Sequence, residues 1–343
     1  MEVAKVHRIA VIGLGSAALT HLDSLLELSP RIEVVAGYTR SAERAASLKD
    51  RYKFELTHDL ERIENDLSID CVLIATPPSS HLEMVQRFAG KGKHILLEKP
   101  VEISTERSRV VIDTCMQAKV SLGVVLQYRF RDSSLALQRA LNANDLGRII
   151  GADIRLPWWR PQTYYDEAGR GTLARDGGGV LLTQAIHILD QFVMISGGIE
   201  QVMAYAHTSS IHRMETEDIV SAAFRLSSGG IGTLSATTAS YPGYRESIDL
   251  VAEGGTARLA GHFLDIKSID GSAHAVGVEF VDPRTSPLRP NRKALRALHV
   301  EFFDAVDEGR DPSNSGRAAL NAHLLIDALL ESSRANRPIV VGS

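Results

Sequence analysis

The sequence has few cysteines and no marked excess of charge of either sign. Cys71 and Cys115 are its only cysteines, and both fall in apolar patterns, which is typical of buried free thiols in a reducing compartment. The formal net charge is −4 over 343 residues, and the basic residues are scattered along the chain. We therefore expect no nucleic acid and no anionic membrane among its partners.

Long apolar runs, a leader sequence and metal-ligand spacing are also missing. No uninterrupted apolar run reaches the roughly 18 residues that a membrane helix needs. The N-terminal residues lead directly into a strand pattern at His7, which leaves no room for a signal peptide. The histidines and cysteines show no spacing typical of a metal site, and the sequence holds no G-x-S-x-G nucleophile motif. We expect a cytoplasmic protein that binds no metal and does not enter a membrane.

Hydrophobic periodicity indicates a doubly wound α/β fold in the first part of the chain. From residue 7 to about residue 130, short apolar runs such as "RIAVIGLG" and "DCVLIATPP" alternate with helical patterns. The runs lack polar alternation, which is typical of parallel strands covered on both faces. Strand–helix alternation at this spacing favours right-handed crossovers. We predict an N-terminal domain over residues 1–130 with a doubly wound parallel sheet.

A different periodicity follows and indicates a second domain over residues 131–343. From about residue 201 to 264, apolar and polar side chains alternate as in antiparallel strands, and "SSGG" fits the turn of a hairpin. Two amphipathic helical patterns, 293–308 and 317–335, close the chain, and this last segment can pack back on the first domain. The stretch 280–292, rich in proline and arginine, is interpreted as an irregular excursion.

A glycine-rich turn, "GLGSAA", joins the first strand to the first helix with the spacing G-x-G-x-x-A. Gly13 allows a tight turn, Gly15 lets backbone N–H groups approach a pyrophosphate, and Ala18 permits close helix–strand contact. Because the motif follows the first strand and opens a helix, its context is the one that a dinucleotide site requires. The alternative is a merely structural glycine turn. The predicted cofactor-binding residues here are Gly13, Leu14, Gly15, Ser16, Ala17 and Ala18.

The end of the second strand carries no carboxylate. An NAD site usually has Asp or Glu here to bind the ribose 2′-hydroxyl, whereas this chain has Thr39 and Arg40. A hydroxyl and a guanidinium can bind a 2′-phosphate that a carboxylate would repel. The sequence therefore favours NADP(H) over NAD(H). The alternative is that Arg40 is a solvated charge, or stacks on adenine, while NAD(H) is used.

The segment "LLEKP" ends the fifth strand, at the carboxyl edge where doubly wound sheets bind their ligands. Pro100 forces an extended turn directly after Lys99 and can be cis. Such a turn aims the Lys99 ammonium toward the crevice. The alternative is an ordinary surface lysine.

Three segments together resemble the Gfo/Idh/MocA oxidoreductases, the family of glucose–fructose oxidoreductase and inositol dehydrogenase. The segments are "GLGSAA", "EKP" and "GGGVLLTQAIHILD", and the resemblance spans nearly the whole chain. It implies an N-terminal Rossmann domain followed by an α+β domain with a large, open, mainly antiparallel sheet. One side of that sheet carries the substrate, and the other often joins subunits, so a homodimer or homotetramer through the open sheet is expected.

The resemblance implies catalytic roles for Lys99, His187 and Thr183. Lys99 matches the lysine that contacts the nicotinamide ribose and the reacting hydroxyl, and His187 matches the general acid/base or its close partner. Residues 176–190 form a helical pattern in which Thr183 lies one turn before His187, and the family most often has Asp at that position. Threonine does not ionise near neutral pH, whereas histidine does, so we expect His187 to take the hydroxyl proton. Asp190 either orients the imidazole or makes a helix or interface contact.

Further positions around the crevice complete the expected site. His81 matches a common family position at the cofactor cleft, and a structural histidine at a helix start is an equal alternative. The apolar run "SLGVVLQYRF" predicts the sixth strand, and the segment at its end matches one that usually lines the nicotinamide and substrate side. The remaining cofactor-binding residues are Ala75, Thr76, Pro77, Glu98 and Gln127, and the remaining substrate-binding residues near them are Tyr128 and Arg129.

The loop "PWWRPQTYYDEAGRGT" holds both tryptophans of the chain together with tyrosines and arginines. Aromatic stacking on a sugar ring, with arginine binding a carboxylate or phosphate, accounts for this composition. Packing under a long loop, or at a subunit interface, accounts for it equally. The candidate substrate-binding residues of the loop are Trp159, Arg160, Tyr165 and Arg170.

Together these patterns predict an NAD(P)-dependent oxidoreductase that interconverts a secondary alcohol and a ketone on a sugar, cyclitol or sugar derivative. The nicotinamide exchanges the hydride, and the protein supplies orientation and acid/base chemistry. Three alternatives remain. They are an NAD(P)-binding sensor without turnover, an NAD-dependent glycosidase of the same fold, and an aldehyde or imine reductase outside sugar chemistry.

Overall fold

The structure, a computed structural model, describes residues 6–277 and 292–342. Contacts divide the chain into two compact units, and the division falls after Leu126. The first unit also takes in a segment near the C-terminus. The described parts of the units are residues 6–126 with 292–320, and residues 127–277 with 321–342.

Strands and helices alternate in the first part of the chain, and strands predominate after α9. The strands are β1 (His7–Ile12), β2 (Ile32–Tyr38), β3 (Glu55–Thr57), β4 (Cys71–Ile74), β5 (His94–Leu97), β6 (Leu122–Val124), β7 (Ile149–Pro157), β8 (Ile199–His207), β9 (Ile219–Leu226), β10 (Ile231–Thr237), β11 (Ser247–Ala252), β12 (Gly255–Ala260), β13 (Phe263–Ser268), β14 (Ala273–Val276) and β15 (Ile339–Val340). The helices are α1 (Ser16–Leu26), α2 (Ala42–Leu48), α3 (Leu60–Asn65), α4 (His81–Ala89), α5 (Thr105–Ala118), α6 (Asp132–Asn142), α7 (Gln162–Tyr165), α8 (Leu173–Asp176), α9 (Ile186–Ser196), α10 (Arg292–Glu308) and α11 (Gly316–Ala335).

The first unit is built on a parallel sheet with the strand order β3-β2-β1-β4-β5-β6. β1 pairs in parallel with both β2 and β4, so the strand order reverses beside β1. Ile9, Val11 and Ile12 of β1 have no exposed surface, as expected of a strand covered on both faces. The predicted doubly wound α/β domain is confirmed, and its ligand crevice lies at the carboxyl ends of these strands.

Side-chain caps determine where three helices of this unit begin. The Ser41 hydroxyl accepts the Arg44 N–H at 3.1 Å at the start of α2. The Ser104 hydroxyl accepts the Arg107 N–H at 3.2 Å at the start of α5, and the Asp59 carboxylate caps α3 in the same way. Each cap satisfies a backbone donor that has no partner within its helix.

The sixth strand is shorter than its apolar run indicates. The sequence "SLGVVLQYRF" predicts a strand reaching Phe130, but β6 ends at Val124, and a 3₁₀ turn follows over Gln127–Phe130. Its partner strand β5 ends at Leu97, which accepts the Val125 N–H at 2.8 Å, and the next N–H, of Leu126, donates to the Val124 carbonyl at 2.8 Å. The chain therefore leaves the sheet before the predicted site residues begin.

The second unit contains a large, mainly antiparallel sheet with the order β14-β13-β12-β11-β7-β10-β9-β8-β15. Only the β7–β10 pair among these described strands is parallel. Val220, Phe224 and Leu226 of β9 are buried and alternate with exposed residues, as the period-two pattern predicts. The expected open antiparallel sheet is confirmed.

The other face of this sheet exposes several large apolar side chains. Ile150, Tyr205, Ile219, Ile231 and Val251 come from the five strands β7 to β11, and each is 37–64% exposed. Single exposed apolar residues are ordinary, but a group of them on one sheet face is typical of an interaction surface.

One helical stretch among the described residues, Leu173–Ser196, is long and apolar enough to cross a membrane by length and composition. In this fold, 83% of its most apolar window is buried, as in a core helix. The irregular excursion expected over 280–292 lies outside the described residues except for Arg292.

Candidate active site

The turn between β1 and α1 contains two glycines, and the fold of the chain requires glycine at only one of them. Gly13 has a φ of +93°, and a Cβ there would lie 2.7 Å from the Ala75 carbonyl oxygen. At Gly15 a Cβ would meet no atom of the chain within 4 Å. The chain itself therefore leaves room at Gly15, as a pyrophosphate lying against the backbone requires. The first turn of α1 has no acidic residue and no side-chain cap, which also fits an anion.

The end of β2 presents hydroxyl and cationic groups. Thr39 is buried, and its hydroxyl accepts the Ser41 N–H at 3.3 Å. Arg40 is exposed. Arg44, from the first turn of α2, reaches back and donates from Nε to the Leu14 carbonyl oxygen at 2.7 Å. This setting fits a 2′-phosphate, because three positive or hydroxyl groups and no carboxylate lie at residues 39–41.

His81 lies behind the predicted cofactor loop Ala75–Thr76–Pro77 rather than on its surface. The His81 side chain has no exposed surface, its Nε2 lies 3.0 Å from the Thr76 carbonyl, and its Nδ1 lies 3.0 Å from the Pro100 carbonyl. Burial lowers the pKa of His81, which favours the neutral ring. The geometry favours the structural alternative, in which His81 links the loops after β4 and β5.

Glu98, Lys99 and Pro100 follow β5 at the carboxyl edge of the parallel sheet. Lys99 is half-buried, and its peptide bond to Pro100 is cis. The Glu98 carboxylate is bound on both oxygens, since Oε2 accepts the Lys99 N–H at 3.0 Å and Oε1 lies 2.8 Å from Nε2 of His21. Glu98 therefore holds the backbone that carries Lys99.

The helix that carries His187 begins with a π-helical turn, Leu181–Ala185, and continues as α9. The sequence predicts an ordinary helix with Thr183 one α-helical turn before His187, so the π-helical turn is a departure. The Thr183 hydroxyl lies 2.6 Å from the Gly179 carbonyl oxygen and also contacts the Gln184 side chain. Single π-helical turns are rare and occur frequently at functional sites.

Glu217 holds the start of this helix. Its carboxylate accepts the N–H groups of Gly179 and Leu181, both at 3.1 Å, and its backbone oxygen accepts the Val180 N–H at 2.8 Å. A Cβ on Gly179 would lie 1.8 Å from that backbone oxygen, so only glycine fits. Burial raises the pKa of the Glu217 carboxyl, although the N–H donors oppose this effect. The glycines before the helix thus permit a close approach of Glu217.

Tyr128 packs against the predicted acid/base. The rings of Tyr128 and His187 are stacked, with 4.9 Å between centroids and 21° between planes. The Arg131 guanidinium lies 3.2 Å from the centroid of the Tyr128 ring and pairs with Glu246 at 2.8 Å. Burial raises the pKa of the Tyr128 phenol, which is therefore neutral. Tyr128 sets the plane of the His187 ring.

Arg129 is committed to a partner within the second unit. Its Nε donates to the Asp190 carboxylate at 2.6 Å in a two-point ion pair, and both residues are buried. This arrangement argues against the expected direct substrate contact of Arg129. The Asp190 carboxylate binds Arg129, which fits the alternative of a helix contact for Asp190.

The aromatic loop brings two arginines to one tyrosine. The Arg160 guanidinium lies 5.2 Å from the Trp158 ring and 5.5 Å from the Tyr164 ring. Arg170 donates to the Tyr164 hydroxyl at 2.9 Å and is ion-paired with a glutamate of the same loop. Gln184 also reaches that hydroxyl at 3.4 Å, which links the loop to the segment before His187. No carboxylate in the described part of the chain pairs with Arg160.

Trp159 and Tyr165 are held by packing. The Trp159 ring meets Tyr241 edge-on with 5.4 Å between centroids, and Tyr165 is buried with its hydroxyl 2.7 Å from that of Thr238. Both rings also contact His212. For these two residues the geometry favours the packing alternative over stacking on a sugar.

Gln127 opens the 3₁₀ turn that holds Tyr128. Its side-chain oxygen is buried and has no hydrogen-bond partner within the described residues. A buried acceptor without a donor is costly, so this oxygen fits an N–H group supplied by a ligand, such as the carboxamide of a nicotinamide.

Comparison with known proteins decides the family. The family described as "Oxidoreductase family, NAD-binding Rossmann fold" matches residues 7–126, and "GFO/IDH/MocA C-terminal domain" matches residues 134–258. The chain belongs to the Gfo/Idh/MocA oxidoreductase family. It is therefore an enzyme of the oxidoreductase class with an NAD(P)-binding Rossmann domain.

Relatives of this Gfo/Idh/MocA member match along almost the whole chain. An inositol 2-dehydrogenase of Rhizobium meliloti is 25% identical over 99% of this chain and 96% of its own length. A D-apiose dehydrogenase of Paraburkholderia graminis is 24% identical over 97% of this chain and 89% of its own. The WlbA dehydrogenase of Bordetella pertussis, solved with NADH and UDP-GlcNAcA, is 25% identical, with a TM-score of 0.84 over 99% of this chain and 98% of its own.

Sequence reasoning missed several residues of this Gfo/Idh/MocA site because they act from distant positions in the chain. Arg44 and His21 lie on helices whose patterns are ordinary, and Arg131 directly precedes α6. Glu217 lies 38 residues from Gly179, whose N–H its carboxylate accepts. Only Arg44 had a signal in the sequence, because it is the third residue of α2 and follows a strand end that carries no carboxylate. The others follow only from the fold.

One group of side chains has metal-compatible spacing within the described residues. The ligand atoms of His7, Asp70 and Cys71 all lie within 4.8 Å of one another. His7 is fully buried, with Nδ1 2.8 Å from Asp70 and Nε2 2.9 Å from Asp307. Because both ring nitrogens lie against carboxylates, the His7 ring joins β1 to α10. That the chain binds no metal stays a prediction.

Proposed function

We propose that this chain is an NAD(P)-dependent oxidoreductase that interconverts a secondary alcohol and a ketone on a sugar, cyclitol or sugar derivative. Family membership and the names of the inositol and apiose dehydrogenases support this class of substrate. The observation that carries the proposal is the placement of His187, an ionisable ring stacked on Tyr128 and preceded by the non-ionisable Thr183.

The proposed mechanism divides the chemistry between cofactor and side chains. A nicotinamide cofactor held at the glycine-rich turn would supply the hydride acceptor for oxidation and the hydride donor for reduction. His187 takes the proton of the reacting hydroxyl during oxidation and returns it during reduction. Lys99 orients and polarises the reacting oxygen through its ammonium group. Thr183 contributes a neutral hydrogen bond at the position where relatives of the family most often have Asp.

We propose NADP(H) as the preferred cofactor, with Thr39 and Arg40 binding the 2′-phosphate. Arg40 is exposed at the end of β2, and Arg44 supports the glycine-rich turn from the same side. Titration with NADPH and NADH measures the preference. Loss of the NADPH preference in Arg40→Glu supports the assignment, and tighter NADH binding in the unaltered protein contradicts it.

We propose that the substrate carries an anionic group, a carboxylate or phosphate, which Arg160 binds. Arg160 is a half-buried cation held between two aromatic rings and unpaired with any carboxylate of the described residues, whereas Arg170 is paired. Arg160→Gln then raises KM for an acidic sugar and leaves KM for its neutral analogue unchanged. Equal effects on both substrates contradict this assignment.

We also propose that the enzyme works in the cytoplasm.

We further propose that the exposed apolar face of the large sheet joins subunits into a homodimer or homotetramer. The face contains Ile231 and Tyr205, each 64% exposed. Light scattering of the unaltered protein and of Ile231→Lys tests the subunit contact. A monomer in both contradicts it.

The deciding experiment is a titration with both nicotinamide cofactors, followed by a panel of polyols, sugars and sugar acids read by nicotinamide absorbance. Turnover of one panel member, with a loss of about 100-fold or more in His187→Asn and in Lys99→Ala, supports the proposed roles. Near-normal turnover in both variants would mean that the assignment is wrong. Tight cofactor binding with no hydride exchange on any member would favour the sensor instead.

A further inference from the structure

A continuous set of hydrogen bonds runs from α1 and α10 to the loop after β5, entirely within the first unit. Ser24 Oγ lies 3.1 Å from Nδ1 of His299, and Nε2 of His299 lies 2.9 Å from Nδ1 of His21. Nε2 of His21 lies 2.8 Å from Oε1 of Glu98. The second oxygen of Glu98 accepts the Lys99 N–H at 3.0 Å. We call Ser24, His299, His21 and Glu98 the histidine chain.

The histidine chain is closed off from solvent at its far end. Ser24 and His299 have no exposed surface, and His21 is 2% exposed. A route for protons to bulk water would need an accessible end, so this geometry does not serve to deliver protons. It serves instead to hold groups in place.

The direction of each hydrogen bond follows from the acceptor at the end of the chain. An ionised Glu98 only accepts, so His21 carries a proton on Nε2. Burial lowers the pKa of His299 well below its ordinary value, so His299 is neutral. With one proton on each ring, Nδ1 of His21 accepts from Nε2–H of His299, whose Nδ1 accepts the Ser24 hydroxyl proton. Every donor then points toward Glu98.

We propose that His21 and His299 are positioning residues for Lys99, which act by fixing the Glu98 carboxylate that holds the Lys99 backbone. The proposal rests on the proposed catalytic role of Lys99. The carboxylate is fixed by two donors from different directions, one on each oxygen. Removing the histidine donor takes away the hydrogen bond to Oε1, which loosens the carboxylate and with it the peptide that carries Lys99.

The protonation pattern is tested by nitrogen NMR of the full chain labelled at histidine, with His21 and His299 assigned by substitution. The expected result is that both rings are neutral and carry their proton on Nε2. A proton on Nδ1 of His299, or a doubly protonated His21, would overturn the proposed direction of the chain. This measurement does not depend on any activity.

The positioning effect is tested by paired variants at residue 299. A glutamine amide nitrogen reaches about as far from the backbone as the Nε2 of histidine, so His299→Gln keeps the donor to His21, whereas His299→Leu removes it. We expect His299→Leu to lower kcat about 10-fold or more with little change in the KM of the alcohol substrate, and His299→Gln to restore most of the loss. The matched control is His323→Leu, which removes another buried histidine, from α11, and leaves kcat unchanged.

The outcomes separate this proposal from the proposed function. If Lys99→Ala keeps normal turnover, the catalytic role of Lys99 fails, and the NMR result alone decides whether the histidine chain exists as described. If Lys99→Ala is inactive but His299→Leu and His299→Gln are equally active, the positioning role fails and the proposed function stands. Equal losses in His299→Leu and His323→Leu mean that the effect is general destabilisation, which also overturns the positioning role.

Discussion

The ring of Tyr128 lies almost parallel to the imidazole of His187, with 4.9 Å between their centroids. The Tyr128 ring also receives the Arg131 guanidinium at 3.2 Å, and Arg131 is in turn bound to Glu246. The proposed acid/base, His187, is therefore stacked on Tyr128, and Tyr128 in turn contacts an arginine that is fixed by an ion pair. The imidazole is thereby oriented before a substrate binds.

Replacing Tyr128 tests this contact. Tyr128→Leu removes a stacked ring worth about 0.5–1.5 kcal/mol beyond its buried area, and the misplaced imidazole should lower kcat by about 10-fold. Tyr128→Phe keeps the ring and should retain most of the activity. Steady-state kinetics on an identified substrate compare the two, and equal losses in both would show that the phenol hydroxyl matters rather than the stack.

Substitutions at the two glycines of the β1–α1 turn separate folding from cofactor binding. Gly15→Ala adds a Cβ that meets no atom of the chain, so its melting temperature should match that of the unaltered protein while NADPH binding weakens. Gly13→Ala combines a φ of +93° with a Cβ 2.7 Å from Ala75, so it should unfold at lower temperature even without cofactor. Calorimetry with and without NADPH measures both effects. Normal NADPH affinity in Gly15→Ala would contradict a pyrophosphate at this turn.

The buried ion pair Arg129–Asp190 should stabilise the folded state only while both partners are present. Arg129→Leu or Asp190→Leu leaves one buried charge without its partner and should cost about 3–5 kcal/mol of unfolding free energy. The double variant should cost less than the sum of the two, since no uncompensated charge remains. The exposed pair Arg148–Glu253 is the control, and breaking it should lower the unfolding free energy far less than breaking the buried pair. Urea unfolding measures all of these, and strictly additive losses at residues 129 and 190 would contradict the coupling.

His323 should make stability depend on pH. Burial lowers its pKa to about 4, whereas an unfolded histidine titrates near 6.5. The unfolded chain therefore binds the proton first as the pH falls, so stability is complete above about pH 6.5 and decreases toward pH 4, by up to about 3 kcal/mol. His323→Leu should flatten this part of the profile, and substitution of the exposed His274 should not. Unfolding midpoints between these pH values provide the measurement, and identical profiles for the protein and His323→Leu would contradict it.

The parallel sheet, the cofactor turn and the alternating β9 strand were predictable because each depends on local signals. Continuous apolar runs, a G-x-G-x-x-A spacing after a strand and a period-two pattern all lie within short segments. The end of β6 was not predictable from its run of apolar residues, because it depends on where the partner strand β5 ends, at Leu97. The π-helical turn before His187 was missed because nothing in the local pattern distinguishes it from an α-helix.

The sequence by itself determined the two-part architecture and the dinucleotide motif, because periodicity and glycine spacing are local signals. Lys99, Thr183 and His187 became candidates through the resemblance of their segments to a known family. Only the tertiary structure decided that Arg129 belongs to Asp190, that His81 is buried behind its loop, and that His21 and His299 reach Glu98. The physical reason is that these assignments depend on which buried donor meets which acceptor. Those partners are brought together by packing, across separations of 61 to 278 residues for Arg129–Asp190 and His21–His299.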